Sequence, residues 1–141
     1  MAAPLLEPTW HRWAPSPTEG PGSAPRVLVV IPTYDEAENI VEVITRTRRM
    51  LPGGSILVVD DASPDGTADR VDALGLDDVS VLRRAGKLGL GSAYRDGFRR
   101  GIVDGFDVLV EMDADLSHDP ADIVRLLDAA RDADLVLGSR Y

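Results

Sequence analysis

From Arg26 onward the chain alternates between two hydrophobic periods. Short, nearly unbroken apolar runs at Arg26–Pro32, Ser55–Asp60, Val79–Leu82, Phe106–Met112 and Asp134–Gly138 predict strands covered on both faces, as in a parallel sheet. Between the runs, apolar residues recur at helical spacing. Ala37, Ile40, Val41 and Ile44 form one stripe, and Leu90, Ala93, Tyr94, Gly97 and Phe98 a second. Ile123, Val124, Leu126 and Leu127 form a third, opened by Asp119 as N-cap with Pro120 at the first helical position. Ser63-Pro64 opens a shorter helix carrying Ala68 and Val71 in the same way. Repeated strand–helix alternation demands right-handed crossovers, so the predicted class is α/β, a doubly wound sheet with helices on both faces.

Residues 1–25 break this pattern. They hold six of the ten prolines and both tryptophans, Trp10 and Trp13, with no apolar period, and are expected to form a disordered Pro-rich arm. The tryptophans either dock on a partner or membrane surface or are bystanders. With 141 residues in all, the remainder, 26–141, makes one domain.

In such sheets ligands bind beyond the carboxyl ends of the strands. The first four predicted strands are each followed there by a loop rich in acids, glycines or prolines: Pro32–Glu36, Asp60–Thr67, Arg83–Gly91 and Asp113–Asp115. In extended backbone, residues two apart face the same side, so Asp113 and Asp115 aim two carboxylates at one point. Two such charges repel unless a cation separates them. Mg²⁺ or Mn²⁺ does so and can hold a diphosphate as well; the competing account is a pair of solvated acids. Asp60, at a strand end, suits a nucleobase N–H or a ribose hydroxyl, or else supplies charge to a helix N-terminus. Lys87 among Gly86, Gly89 and Gly91 suits an anion, or the glycines are structural. Tyr34 stacks on a base or merely packs. Arg140 reaches a phosphate through its planar fork or is solvated. His118 reads as structural rather than as a base.

Charge and composition narrow the classes. A net charge of −9 argues against nucleic acid, whose phosphates need clustered cations. There is no cysteine, which removes disulfides and thiolate metal sites. No apolar run nears bilayer length, and the N-terminus lacks the pattern of a secretory signal, so a cytoplasmic location is expected. The six basic residues from Arg83 to Arg100 face one acid, Asp96, whereas ten acids from Asp104 to Asp134 face Arg125 and Arg131. These are two solvated faces, or a basic loop that meets phosphates across a cleft from an acidic one.

Taken together, Val30–Ile40, Val59–Thr67, Lys87–Arg95, Glu111–Pro120 and Gly138–Tyr141 resemble family 2 glycosyltransferases, in particular those that transfer mannose to dolichyl or polyprenyl phosphate. The resemblance covers 26–141, and its specific segments are Lys-Leu-Gly-Leu-Gly and Asp-Ala-Asp-Leu-Ser-His-Asp-Pro. It implies a GT-A nucleotide-sugar-binding fold, GDP-mannose as donor, Mg²⁺ or Mn²⁺ as cofactor, and a polyprenyl or dolichyl phosphate as acceptor. By position, Pro32, Tyr34, Glu36, Val58 and Asp60 would line the nucleotide pocket. Asp113, Ala114 and Asp115 would meet the diphosphate and mannose. Asp115 would ligate the metal, Ser117 would hold the place of a second ligand, and Arg140 would touch the donor. The family continues beyond the position of Tyr141, so the resemblance implies a member with its C-terminal part missing, in which 26–141 is the donor-binding portion.

A lipid acceptor further implies peripheral contact with the cytoplasmic face of a membrane, or a separate membrane-anchoring partner. Three alternatives stand beside this reading. They are a response-regulator receiver, whose acids Asp60, Asp61 and Asp113 would imitate; a non-catalytic nucleotide-sugar-binding fragment; and a related transferase using another donor such as UDP-glucose.

Overall fold

The computed structural model describes residues 25–139. Four strands, β1 (Val27–Thr33), β2 (Ser55–Asp60), β3 (Val79–Arg83) and β4 (Val108–Glu111), form one sheet in the order β3-β2-β1-β4, with every pairing parallel. Helices α1 (Ile40–Met50), α2 (Thr67–Ala73), α3 (Leu90–Val103) and α4 (Asp122–Ala129) each follow one strand, and a 3-10 turn at Ala130–Asp132 extends α4. From β1 the chain steps outward through β2 to β3, then crosses back to place β4 on the other side of β1. That reversal is the topological switch point, where doubly wound sheets bind ligands. A receiver has the order 2-1-3-4-5, so the strand order removes that alternative.

Alternation along the strands builds both layers. Val27, Val29 and Ile31, with Ile56 and Val58, pack beneath Ile40, Val43 and Ile44 of α1 and Val71 of α2. The intervening Leu28, Val30, Leu57 and Val59 pack beneath Ala93 and Tyr94 of α3. All seven residues of β1 are buried. At roughly 1.5–3 kcal/mol for each fully buried branched side chain, this strand anchors the domain. Helix α3 lies close to the sheet because Gly97 and Gly101 face it; a Cβ on Gly97 would overlap Val30, and one on Gly101 would overlap Leu109.

Several expectations shift. Val43, outside the expected stripe, is buried with Ile40 and Ile44 along an i, i+3, i+4 line, while Val41 packs against the same core only partly buried. Leu90 begins α3 but stays exposed, one turn before the helix settles on the sheet. Helix α2 starts at Thr67, because Gly66 at φ 84° ends a turn that holds Pro64. The run Asp134–Gly138 is not a strand. Its Leu135 and Leu137 are exposed, and among the described residues no strand pairs with it. The Pro-rich arm, apart from Pro25, and Arg140 lie outside the described residues.

Candidate active site at the carboxyl rim of the sheet

Parallel pairing sets Thr33, Asp60 and Arg83 side by side at the strand ends, so the loops after all four strands share one rim. Hydrogen bonds knit them together. The Asp35 amide donates to Ser63 Oγ at 3.0 Å, the Glu36 amide to Thr67 Oγ1 at 3.1 Å and the Ala37 amide to Asp65 Oδ2 at 3.0 Å. The Lys87 ammonium sits 4.3 Å above the centre of the Tyr34 ring, a cation–π contact joining the first loop to the third. Asp35, Ala62 and Leu116 have φ of 54°, 55° and 65°. Left-handed backbone is uncomfortable for alanine and leucine, and these residues fall in the loops after β1, β2 and β4. Backbone strain therefore gathers on the rim, as it does at functional sites.

Asp60 is buried at the floor of this rim. Its Oδ1 accepts from Thr33 Oγ1 at 2.7 Å and from Ser63 Oγ at 2.6 Å, while Oδ2 accepts from the Ser63 amide at 3.0 Å. A ligand reaching Asp60 has to share these lone pairs. Pro32 is buried. The Val58 side chain is wholly buried in the core beside Ile31, so it supports the floor rather than lining a surface. Glu36 is half-buried; its carbonyl accepts from the amides of Asn39 and Ile40, and its Oε2 accepts from Asn39 Nδ2 at 3.3 Å. Tyr34 and Lys87 are exposed.

The acidic turn follows β4. Asp113 is half-buried, Ala114 buried and Asp115 exposed, and the chain bends from Ala114 to Leu116 instead of staying extended. Tyr94 of α3 donates its hydroxyl to Asp113 Oδ1 at 2.7 Å. The Asp113 amide donates to His118 Nδ1 at 3.0 Å. His118 Nε2 lies 3.7 Å from Asp113 Oδ2. Burial, then the bond to Asp113, pushes the Tyr94 phenol far up, so it remains a donor; the charges of Glu111 and Asp115 act in the same direction. Hydrogen bonds from the Ser117 hydroxyl and amide, the latter at 2.9 Å, hold the Asp115 carboxyl below the usual carboxylate range.

Among the described residues no cluster of three or more His, Cys, Asp or Glu forms a self-sufficient metal cage. The oxygens of this turn that could hold an ion with a bound diphosphate are Asp113 Oδ2 and the exposed Asp115 carboxyl, the latter accepting from the Ser117 amide. Two carboxylates fit Mg²⁺ or Mn²⁺ chemistry when a substrate diphosphate and water complete the shell.

A second polar centre was missed in the sequence. Asp61 and Arg84 form a buried two-pronged ion pair, Nε to Oδ1 at 2.6 Å and Nη2 to Oδ2 at 3.1 Å. Asp61 Oδ2 also accepts from the amides of Leu88 at 3.0 Å and Gly89 at 3.3 Å. Arg84 reaches the Gly89 carbonyl at 3.1 Å, Asp96 Oδ2 at 3.0 Å and Ser92 Oγ. Burial alone pushes the Asp61 carboxyl up; the Arg84 hydrogen bonds and the two amides outweigh it and leave it below the usual range. The available signal was the alternation at the end of β3, which turns Arg83 outward and Arg84 inward.

Residues 28–141 match the model of glycosyl transferase family 2. The chain belongs to that family. This family 2 chain is 56% identical over 117 residues to the undecaprenyl-phosphate mannosyltransferase of Micrococcus luteus, covering 82% of this chain and 48% of the relative. It is 52% identical over 120 residues to the polyprenol monophosphomannose synthase of Mycolicibacterium smegmatis, covering 82% and 45%. The chain thus spans about half the length of these curated relatives. In structure it resembles the mannosyltransferase PcManGT of Pyrobaculum calidifontis, solved with GDP-Man and Mn²⁺. The TM-score there is 0.63 at 25% identity, over 87% of this chain and 37% of that one. Glucosyl-3-phosphoglycerate synthase of Mycobacterium tuberculosis shares the fold at a TM-score of 0.60 and 23% identity, over 78% and 41% of the two chains. The parallel sheet with helices on both faces is the GT-A arrangement of these transferases.

Proposed function

We propose that this protein takes part in metal-dependent, inverting transfer of mannose from GDP-mannose to the phosphate of a polyprenol or dolichol, with 26–141 as the donor-binding domain. The observation that carries the reading is the acidic turn at the switch point. There Tyr94 donates to Asp113 and the Ser117 amide donates to Asp115, in a chain 56% and 52% identical to enzymes named for polyprenyl-phosphate mannosyl transfer.

In this reading Tyr34 stacks on the base, and Pro32, Glu36 and Asp60 frame the nucleoside, with Val58 shaping the floor from below. Lys87 meets the diphosphate. Asp113 and Ala114 would border the diphosphate and the mannose, and Asp115, with Ser117 beside it, would hold Mg²⁺ or Mn²⁺ together with Asp113. Arg140, outside the described residues, is assigned to the donor by its place in the motif. The bound ion would supply charge neutralisation for the departing diphosphate. The acceptor needs no general base, because the second pKa of a phosphate monoester is about 6. A lipid phosphate oxygen forms the new bond to the anomeric carbon as the bond to GDP breaks on the opposite face, and no proton moves. His118 Nδ1, already bonded to the Asp113 amide, is not required for the chemistry.

No helix among the described residues is long and apolar enough to cross a membrane. We assign the domain to the cytoplasmic face of a membrane, held peripherally or through a separate anchoring partner, where a lipid-borne phosphate is accessible. The test is transfer of radiolabelled mannose from GDP-mannose to polyprenyl phosphate with Mn²⁺ or Mg²⁺, compared with label from UDP-glucose. Metal-dependent mannose label in the lipid, lost in Asp115→Ala, is expected. Label from UDP-glucose alone would reassign the donor, and GDP-mannose binding without transfer would leave a donor-binding module.

A further inference from the structure

We infer that Asp61 and Arg84 are positioning residues that clamp the loop between β3 and α3 and so hold Lys87 where the donor diphosphate binds. The inference rests on the proposed function in one respect, the assignment of Lys87 to the diphosphate.

The loop Ala85–Gly89 has little stiffness of its own. Gly86 and Gly89 lack side chains, and Gly89 adopts φ 100°, open to glycine but strained for other residues. Its fixed points are external. At its start the Arg84 amide donates to the Asp60 carbonyl at 2.8 Å. At its end both Leu88 and Gly89 give their amides to Asp61 Oδ2, and the Gly89 carbonyl accepts from Arg84 Nη2. Lys87 is suspended between these two clamped points, and its ammonium comes to rest over Tyr34.

The guanidinium continues to Ser92 and Asp96, so the first turns of α3 are tied to the same pair. Arg84 and Asp61 are 4% and 7% exposed in their side chains, and water therefore does little to screen the pair or to replace a lost bond. Arginine is suited to this post, because its planar fork serves two carboxylates, a hydroxyl and a carbonyl at once; a lysine point charge serves fewer. A pair serving only the core would bond to strands and helices. This one spends most of its bonds on the loop that carries a substrate-facing cation.

The test is a double-mutant cycle of Arg84→Lys and Lys87→Met, read by calorimetric titration of GDP in the presence of Mn²⁺, with amide hydrogen exchange at Leu88 and Gly89 followed in parallel. Arg84→Lys is expected to weaken GDP by about tenfold, as loss of an orienting partner does, and to cost little more once Lys87 is Met. Exchange at Leu88 and Gly89 should quicken in Arg84→Lys and stay unchanged in Lys87→Met. Additive losses of affinity, or unchanged exchange, would overturn the positioning role alone. Absence of GDP binding by the unsubstituted chain would overturn the donor assignment and this role with it. If Arg84→Lys does not fold, Asp96→Asn, which trims one guanidinium contact at a half-exposed site, is expected to quicken the same two amides. No change there would also overturn the clamp.

Discussion

The Tyr94 hydroxyl and Asp113 Oδ1 meet at 2.7 Å, a bond that ties α3 to the acidic turn across the mouth of the switch point. Tyr94 is nearly buried, so the phenol directs the carboxylate without being a surface group. Removing the hydroxyl leaves the ring packing in place and frees Asp113 to turn. Tyr94→Phe is therefore expected to lower mannosyl transfer about 10- to 100-fold, the usual range for loss of an orienting partner. The cost in stability is expected to be only about 1 kcal/mol. Steady-state transfer beside a urea melt checks both parts.

The floor of the rim makes a different prediction. Thr33 Oγ1 donates to the buried Asp60 at 2.7 Å, and Thr33→Val keeps the shape while leaving one carboxylate lone pair without its donor. A loss of roughly 1–3 kcal/mol in unfolding free energy is expected, with weaker nucleotide binding, because Asp60 also fixes the Ser63 turn. Denaturant titration with GDP calorimetry measures the two together.

Close packing of α3 gives a purely structural prediction. A methyl group at Gly97 would overlap Val30 and press on Val59. Gly97→Ala should destabilise the domain by about 1–3 kcal/mol through overpacking, despite the better helix propensity of alanine. A raised melting temperature would contradict this placement of the helix.

Acid sensitivity follows from carboxylates held below their ordinary value. Asp61 is one; Asp78, lowered mainly by its hydrogen bond from Arg48, is another. A depressed folded-state value means that the stabilisation is complete above the unfolded value, about 4, and is lost as pH falls through the lower folded one. Stability is expected to rise between about pH 2 and 5 and then level off. Asp78→Asn should flatten part of that slope in denaturant midpoints measured across the range.

The doubly wound class and the first four strands were legible because buried parallel strands read as continuous Val/Leu/Ile runs. The rim was legible because Pro32–Glu36, Asp60–Thr67, Arg83–Gly91 and Asp113–Asp115 all follow strand ends, which parallel pairing gathers on one edge. Asp134–Gly138 misled because a short apolar run marks a segment able to pair, whereas pairing needs a neighbouring strand. The bend at Asp115 was hidden because it depends on Leu116 taking a left-handed conformation that its side chain does not advertise. In the sequence Arg84 reads only as one of the six basic residues from Arg83 to Arg100, and Asp61 only as an acid that a receiver would use. Their partnership joins residues 23 apart in the chain, which no local pattern reveals.

The central claim is that Asp113 and Asp115 join a divalent ion to a nucleotide-sugar diphosphate at the switch point. Titration calorimetry of GDP-mannose with and without Mn²⁺, on the unsubstituted chain and on Asp115→Ala, tests it most directly. Binding that requires the ion and disappears in a folded Asp115→Ala is the predicted result. Equal affinity without the ion, or binding undiminished in the variant, would contradict the account.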